Sequence, residues 1–168
     1  MTRPLRTRAK EPVALTAAAA APLAPADPLA FQLLNEVGII SQLAQNRAAR
    51  LLAPDLNLSQ FTVLNHFTRL GGERSLVQLA NAMQVTKGAM TNTVTRLQAK
   101  GLVVVLPDPQ DGRGKRVSLT AAGHASRAAA VQQLAFGLAA LGGCVTDPEI
   151  ADALVVLRKL RQWFDANR

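Results

Sequence analysis

Two histidines, His66 and His124, and one cysteine, Cys144, are the whole stock of the side chains that most often shuttle protons, bind soft metals or attack as thiolates. No Cys/His/Asp cluster has ligand spacing. There is no glycine-rich phosphate loop and no nucleophile, base and acid in a usable order, so the pattern excludes metal-dependent and covalent catalysis, and no cofactor is expected. His66 reads as a helix-surface or core-edge histidine. Cys144 has no cysteine to pair with and no neighbouring cation or base to activate it, so it reads as a buried or incidental thiol. The residues whose types and spacing do suggest chemistry are Lys87, Gly88, Thr91 and Asn92, and that chemistry is recognition by hydrogen bond.

Between Thr86 and Ala99, Met90, Val94 and Leu97 recur at helical spacing, with Ala89 and Thr93 beside them. The other side carries Lys87, Gly88, Thr91, Asn92 and Thr95. A helix exposing such a face fits the major groove of double-stranded DNA, where Asn pairs with adenine, Lys with guanine and a threonine methyl with thymine. Gly88 permits close approach. An ordinary solvated face has the same composition, so the surrounding segments decide. Ser75 and Gln78 have the spacing of a reciprocal capping box, and Leu76, Leu79 and Ala80 give a short first helix its apolar face. Asn81 to Val85 makes a turn. Thr86 then caps the second helix, with Val85 and Met90 placed as a hydrophobic staple. Gly101 ends that helix after Lys100.

Leu102 to Leu106 is predicted to be a strand stopped by Pro107, and Val117 to Leu119 a returning strand. Between them DPQDGRGKR, residues 108–116, reads as a mobile turn with a positive tip. Arg113, Lys115 and Arg116 suit flanking backbone or a narrow minor groove, and Asp111 is placed to hold Arg113 or the turn backbone. Ser75, Thr86, Thr95 and Lys100 are expected to position the protein on phosphates without reading sequence.

Residues 75–123, with LAxxMxVTKGAMTNTVTRLxxKGLV followed by DPxDGRxKxVxLTxxG, resemble the core of the MarR family of winged-helix transcription regulators. The likeness extends more loosely to most of the chain after residue 30. Its departures are Asn92 where the family commonly has arginine, Thr93 where an aliphatic residue is common, and Gly114 inside the wing. The resemblance implies a dimer in which the first helix joins the last helices. It also implies control by a small aromatic or phenolic effector lodged where those helices meet the reader. The family's oxidant-sensing cysteine in the first helical region has no counterpart here.

The rest of the chain must position these residues. With 168 residues and 49% hydrophobic content it can build one sizeable core, and with 4% aromatics and no tyrosine that core relies on Ala, Leu and Val. The net charge of +8 favours a polyanionic partner, and residues 60–120 hold eight Lys or Arg against three acids, a net +5 on the proposed reader. Residues 1–28 are an Ala/Pro-rich basic tail expected to be disordered. Pro22 and Pro25 break its apolar run, which argues against an export signal and for a cytoplasmic protein with no membrane association.

Residues 29–54 form a helix with Leu33, Val37, Ile40, Ala44, Ala48 and Leu51 on one face and Pro54 as its stop. Ser59 is expected to begin the next helix, with Phe61, Leu64 and Phe67 inward. After the wing, Thr120 caps a helix with a stripe of Ala128, Val131, Ala135, Leu138 and Leu141, broken at Gly142 and Gly143. Asp147 and Pro148 start the last helix, whose face includes Ile150, Leu154, Leu157 and Phe164. The expected fold is therefore mainly α with a small β wing. Residues 55–120 form the winged helix-turn-helix, and both chain ends, 29–54 and 121–168, form a helical dimerisation domain using Leu33, Val37, Ile40, Leu154, Leu157 and Phe164. The expected function is a homodimeric, sequence-specific regulator, a repressor released from a palindromic operator by its effector. A nonspecific or architectural DNA binder is the main alternative, and would show little dependence on sequence.

Overall fold

A computed structural model of the chain describes residues 27–52, 54–109 and 111–167, without the side chains of residues 111–113. Most of the predicted tail therefore lies outside the described residues. The element order is α1 (Leu29–Leu52), α2 (Leu58–Leu70), β1 (Arg74–Ser75), α3 (Leu76–Ala82), α4 (Lys87–Ala99), β2 (Val103–Asp108), β3 (Asp111–Leu119), α5 (Ala121–Leu138), a 3₁₀ segment (Ala139–Gly143) and α6 (Asp147–Ala166). The fold is mainly helical with a small β wing.

Helix starts follow hydrogen-bonding side chains, and two differ from expectation by a residue or two. Helix α2 is capped by Asn57, not begun at Ser59. The Asn57 carboxamide oxygen accepts from the Gln60 amide at 2.8 Å, and the Gln60 side-chain oxygen accepts from the Asn57 amide at 3.1 Å. Gln60 stands three residues after Asn57, so only that cap completes the box. The last helix is capped by Thr146, not Asp147: Thr146 and Glu149 form a second box, with Pro148 inside the first turn, where a missing amide costs nothing. The Thr146 amide and then its hydroxyl hold the Glu149 carboxyl below its usual range.

The chain divides into two units, residues 1–41 and 42–168. In the first, the Gln32 side-chain carboxamide donates to the Asp27 carbonyl at 2.7 Å, and Leu33, Val37 and Ile40 of α1 are exposed. The second unit holds the core, in which Leu52, Leu56, Val63, Leu64, Phe67, Leu79, Met90, Val94, Leu97, Val103 and Val117 are buried together. Its three-stranded antiparallel sheet has the order β1-β3-β2. Strand β1 has no sequence signal, since two residues are too few for a period. Arg74 pairs with Val117 and Ser75 with Arg116.

The wing corrects two expectations. Pro107 does not stop β2 but pairs with Lys115 inside it, which an edge strand tolerates beside the irregularity found between Pro107 and Asp108. The return strand begins at Asp111, not Val117, so Gly112 to Arg116 belong to β3 and the expected nine-residue turn is mostly hairpin.

Helix α5 packs on the core through a face other than the small-residue stripe, which is assigned to dimerisation. Gly123 and Ala130 are buried and Leu134 packs against the core, whereas Ala128, Ala135, Leu138 and Leu141 are exposed. The close approach at Gly123 selects this face: a Cβ there would collide with the Leu102 carbonyl and come within 2.6 Å of a Leu119 methyl. Arg127 fixes the same helix to α2 through two bonds to the Asn65 side-chain oxygen, at 2.8 and 3.1 Å. Helix α6 buries no residue within the chain. No single helix among the described residues is long and apolar enough to cross a membrane.

Candidate nucleic-acid interface

Helices α3 and α4 owe their relative angle to local bonds. Ser75 accepts from the Gln78 amide at 3.1 Å and its own amide donates to the Gln78 side chain at 2.8 Å. After α3 the chain reverses with Gln84 in the left-handed region at φ 51°, while the Val85 amide donates to the Ala80 carbonyl at 3.0 Å. A non-glycine residue held there stores strain. Thr86 then caps α4, accepting from the Ala89 amide at 3.2 Å. At the far end Gly101, φ 68°, completes a Schellman motif. Its amide donates to Gln98 and that of Leu102 to Leu97, both leucines being buried.

Between these caps Met90, Val94 and Leu97 are buried, and Lys87, Gly88, Thr91, Asn92 and Thr95 are all exposed on the other side. A Cβ on Gly88 would meet nothing within 4 Å, and its φ is not positive, so no feature of the chain's own packing requires a glycine there. The threonine hydroxyls are engaged within the helix. Thr91 donates to the Lys87 carbonyl at 2.8 Å and Thr95 to the Thr91 carbonyl at 2.9 Å.

Lys100 is not on this face. Its ammonium donates to the Asp55 carbonyl and to the Gln60 side-chain oxygen, so it ties the end of α4 to the loop before α2 rather than standing out for a phosphate. Arg116 is likewise engaged, its guanidinium 3.0 Å from the half-buried wing's Asp108 carboxylate. Among the described side chains Asp108 is thus an acid that holds an arginine of the wing, while the expected contact of Asp111 with Arg113 falls on side chains outside the described residues. The spacing of eight residues hides the pair of Asp108 and Arg116 from the sequence, because only the hairpin register brings them together. Lys115 is exposed. Asp111 and Arg113 lie on β3, with side chains outside the described residues.

His66 sits at the core edge with its ring 6.1 Å from that of Phe67. Burial, then the cations of Arg69 and Arg74, push its pKa below the ordinary imidazole value. Cys144 is exposed, so of the two expected readings, buried or incidental, the first does not hold. No group of three His, Cys, Asp or Glu among the described residues is placed to hold a metal.

A helix-turn-helix running directly into a three-stranded sheet with a basic hairpin defines a winged-helix DNA-binding domain. The profile of the MarR family matches residues 55–114. The multiple antibiotic resistance protein MarR of Salmonella typhimurium is 36% identical over 101 residues, which are 55% of this chain and 69% of that protein. The apo structure of MarR from E. coli superposes with a TM-score of 0.67 at 30% identity, covering 80% of this chain and 96% of that one. A mutant of the same protein complexed with operator DNA gives 0.62 at 29% identity, covering 80% and 99%. BpsR of Bordetella bronchiseptica, whose DNA binding is regulated by 6-hydroxynicotinic acid, gives 0.58 at 27% identity, covering 75% and 98%. The chain belongs to the MarR family and is a transcriptional regulator, not an enzyme.

Proposed function

We propose that the chain is a cytoplasmic, homodimeric repressor that reads a palindromic operator and leaves it when a small aromatic or phenolic ligand binds. The observation that carries this reading is the face of α4. Its buried side anchors it to the core while Lys87, Gly88, Thr91 and Asn92 stand exposed together, on a helix whose caps present it at a set angle. Lys87 and Asn92 offer donors for guanine and adenine edges, and Gly88 lets the backbone come close. Ser75 and Thr86 bring two helix N-termini toward phosphates, and Arg113 and Lys115 supply the wing's charge while Asp108 holds Arg116. With two copies of α4, half-sites stand about 34–36 Å apart.

Dimerisation is assigned to residues 29–54 and 121–168. Leu154, Leu157 and Phe164 of α6 are exposed within one chain, as are Leu33, Val37 and Ile40 of α1, which is how an interface looks before its partner covers it. For the ligand, a cavity of about 310 Å³ lies behind α4, lined by Gln45, Ser59, Thr62, Met83, Met90 and Thr93 among others. Two thioethers for a ring and several hydroxyl or amide groups for its substituents suit a small phenolic compound. Occupancy there would press on the turn and on α4 from the side opposite the DNA.

The test is selection of bound duplexes from a random pool by the full chain, at about 0.15 M salt because affinity falls steeply with ionic strength. An enriched palindrome supports the proposal. Binding without enrichment replaces it with an architectural role, and absence of binding refutes it.

A further inference from the structure

The two exposed threonines of α4 form a ladder along one edge of the helix. The Thr91 hydroxyl proton goes to the Lys87 carbonyl and the Thr95 proton to the Thr91 carbonyl, at 2.8 and 2.9 Å. Each hydroxyl has one proton, so neither retains a donor for a DNA base. The same bonds settle each χ1, since a threonine in a helix divides between two rotamers according to this bond. What each residue offers outward is therefore a fixed methyl and an oxygen that only accepts. Guanine shows the major groove only acceptors, which such an edge cannot satisfy; adenine and cytosine each show an amino donor, and only the T·A pair adds a methyl beside that donor, so the edge gains most where its methyl meets thymine and its oxygen the amino group of the paired adenine. Four residues of helix rise about 6 Å, close to two base-pair steps of about 3.4 Å each.

We propose that Thr91 and Thr95 together form a methyl-reading edge that selects two thymines about two base-pair steps apart in each half-site, with Thr95 a specificity residue alongside Thr91. This deepens, and rests on, the proposal that α4 reads an operator. It gives Thr95 a base-reading task where a phosphate contact was expected, and leaves Asn92 and Lys87 to adenine and guanine at neighbouring positions.

The experiment takes the duplex enriched by the full-length protein and replaces each thymine in turn by deoxyuridine, which removes only the 5-methyl group. Burying one methyl is worth about fourfold in affinity. Two positions per half-site, spaced by two steps, are expected to lose about fourfold each on replacement. Thr91→Ser should abolish the sensitivity at one of them and Thr95→Ser at the other, because serine keeps the internal hydrogen bond and lacks the methyl. Deoxyuridine tolerated at every position of an operator that the protein still selects would overturn the methyl edge while leaving operator reading intact. Sensitivity that persists in both serine variants would overturn it equally, by assigning the methyl contact to other residues. Failure to enrich any duplex would overturn the operator reading and this inference with it.

Discussion

Gly88→Ala separates folding from reading at a single atom. Gly88 is the second residue of α4, its φ is not positive, and an added Cβ meets nothing within 4 Å. The substitution therefore introduces no clash and removes the backbone entropy of a helical glycine, a gain of about 0.5–1 kcal/mol. For a chain of this length that raises the midpoint by about 1–4 °C. On DNA the sign reverses. If the backbone at Gly88 touches base edges, a methyl there pushes the helix outward and loses at least one specific contact. Such a contact is worth about 1–3 kcal/mol, or roughly 5- to 150-fold in affinity. Thermal unfolding and titration of the selected duplex, with an unrelated duplex as control, read both effects. The unrelated duplex should bind almost as before, because phosphate contacts tolerate a small displacement. A variant that is more stable and still binds its operator with wild-type affinity would refute the close approach, and with it the reason offered for glycine at this position.

Asn92→Ala should lose about 1–3 kcal/mol of discrimination at one position per half-site, seen as a relaxed preference when the duplex selection is repeated. Leu157→Asp places a charge on the exposed apolar face of α6 and should yield a monomer by sedimentation while the helix content by circular dichroism stays as in the wild type. His66 has a depressed pKa in the folded state, so the unfolded chain binds more protons below the ordinary imidazole pKa of about 6.5. Stability is accordingly expected to fall as pH drops below about 6.5 and on through the lowered folded value, and His66→Gln should flatten that part of the pH profile in denaturant titrations. Gln84→Gly relieves the left-handed backbone of the turn, whose cost of about 1–2 kcal/mol outweighs glycine's entropy, so a net gain of about 0.5–1 kcal/mol is expected at unchanged operator preference.

What the sequence made legible was local. Ser75 with Gln78, Thr86 before Ala89 and Gly101 after Lys100 declare helix ends through bonds spanning a few residues, and the Met90, Val94, Leu97 stripe declares which side of α4 is buried. What stayed hidden depends on residues distant in the chain. Arg116 reads as a free cation until the hairpin sets it beside Asp108, and Lys100 reads as a phosphate contact until α4 ends next to the Asp55 carbonyl. The packed face of α5 was obscured for a related reason. Its helix is rich in alanine on every side, so apolar spacing discriminates poorly, and the face is chosen instead by the absence of a side chain at Gly123. The start of α2 was misplaced by a different ambiguity: Asn57 and Ser59 are both good caps, and only the partner at Gln60 distinguishes them.

The same separation of local from distant gives the family departures different meanings. Asn92 is exposed, so exchanging it for the arginine common in relatives would touch nothing in the core and should alter recognition with little effect on stability, as surface changes away from caps and networks usually do. Thr93, the neighbouring departure, points elsewhere. It is half-buried, donates its hydroxyl to the Ala89 carbonyl at 3.1 Å, and lines the cavity behind α4. An aliphatic residue there would fill the same wall without an oxygen. One turn of one helix thus sends adjacent residues to opposite tasks: residue 92 faces the proposed operator and residue 93 the proposed ligand. A ligand that moves Thr93 moves Asn92 with it, because both stand on one turn of the same hydrogen-bonded helix.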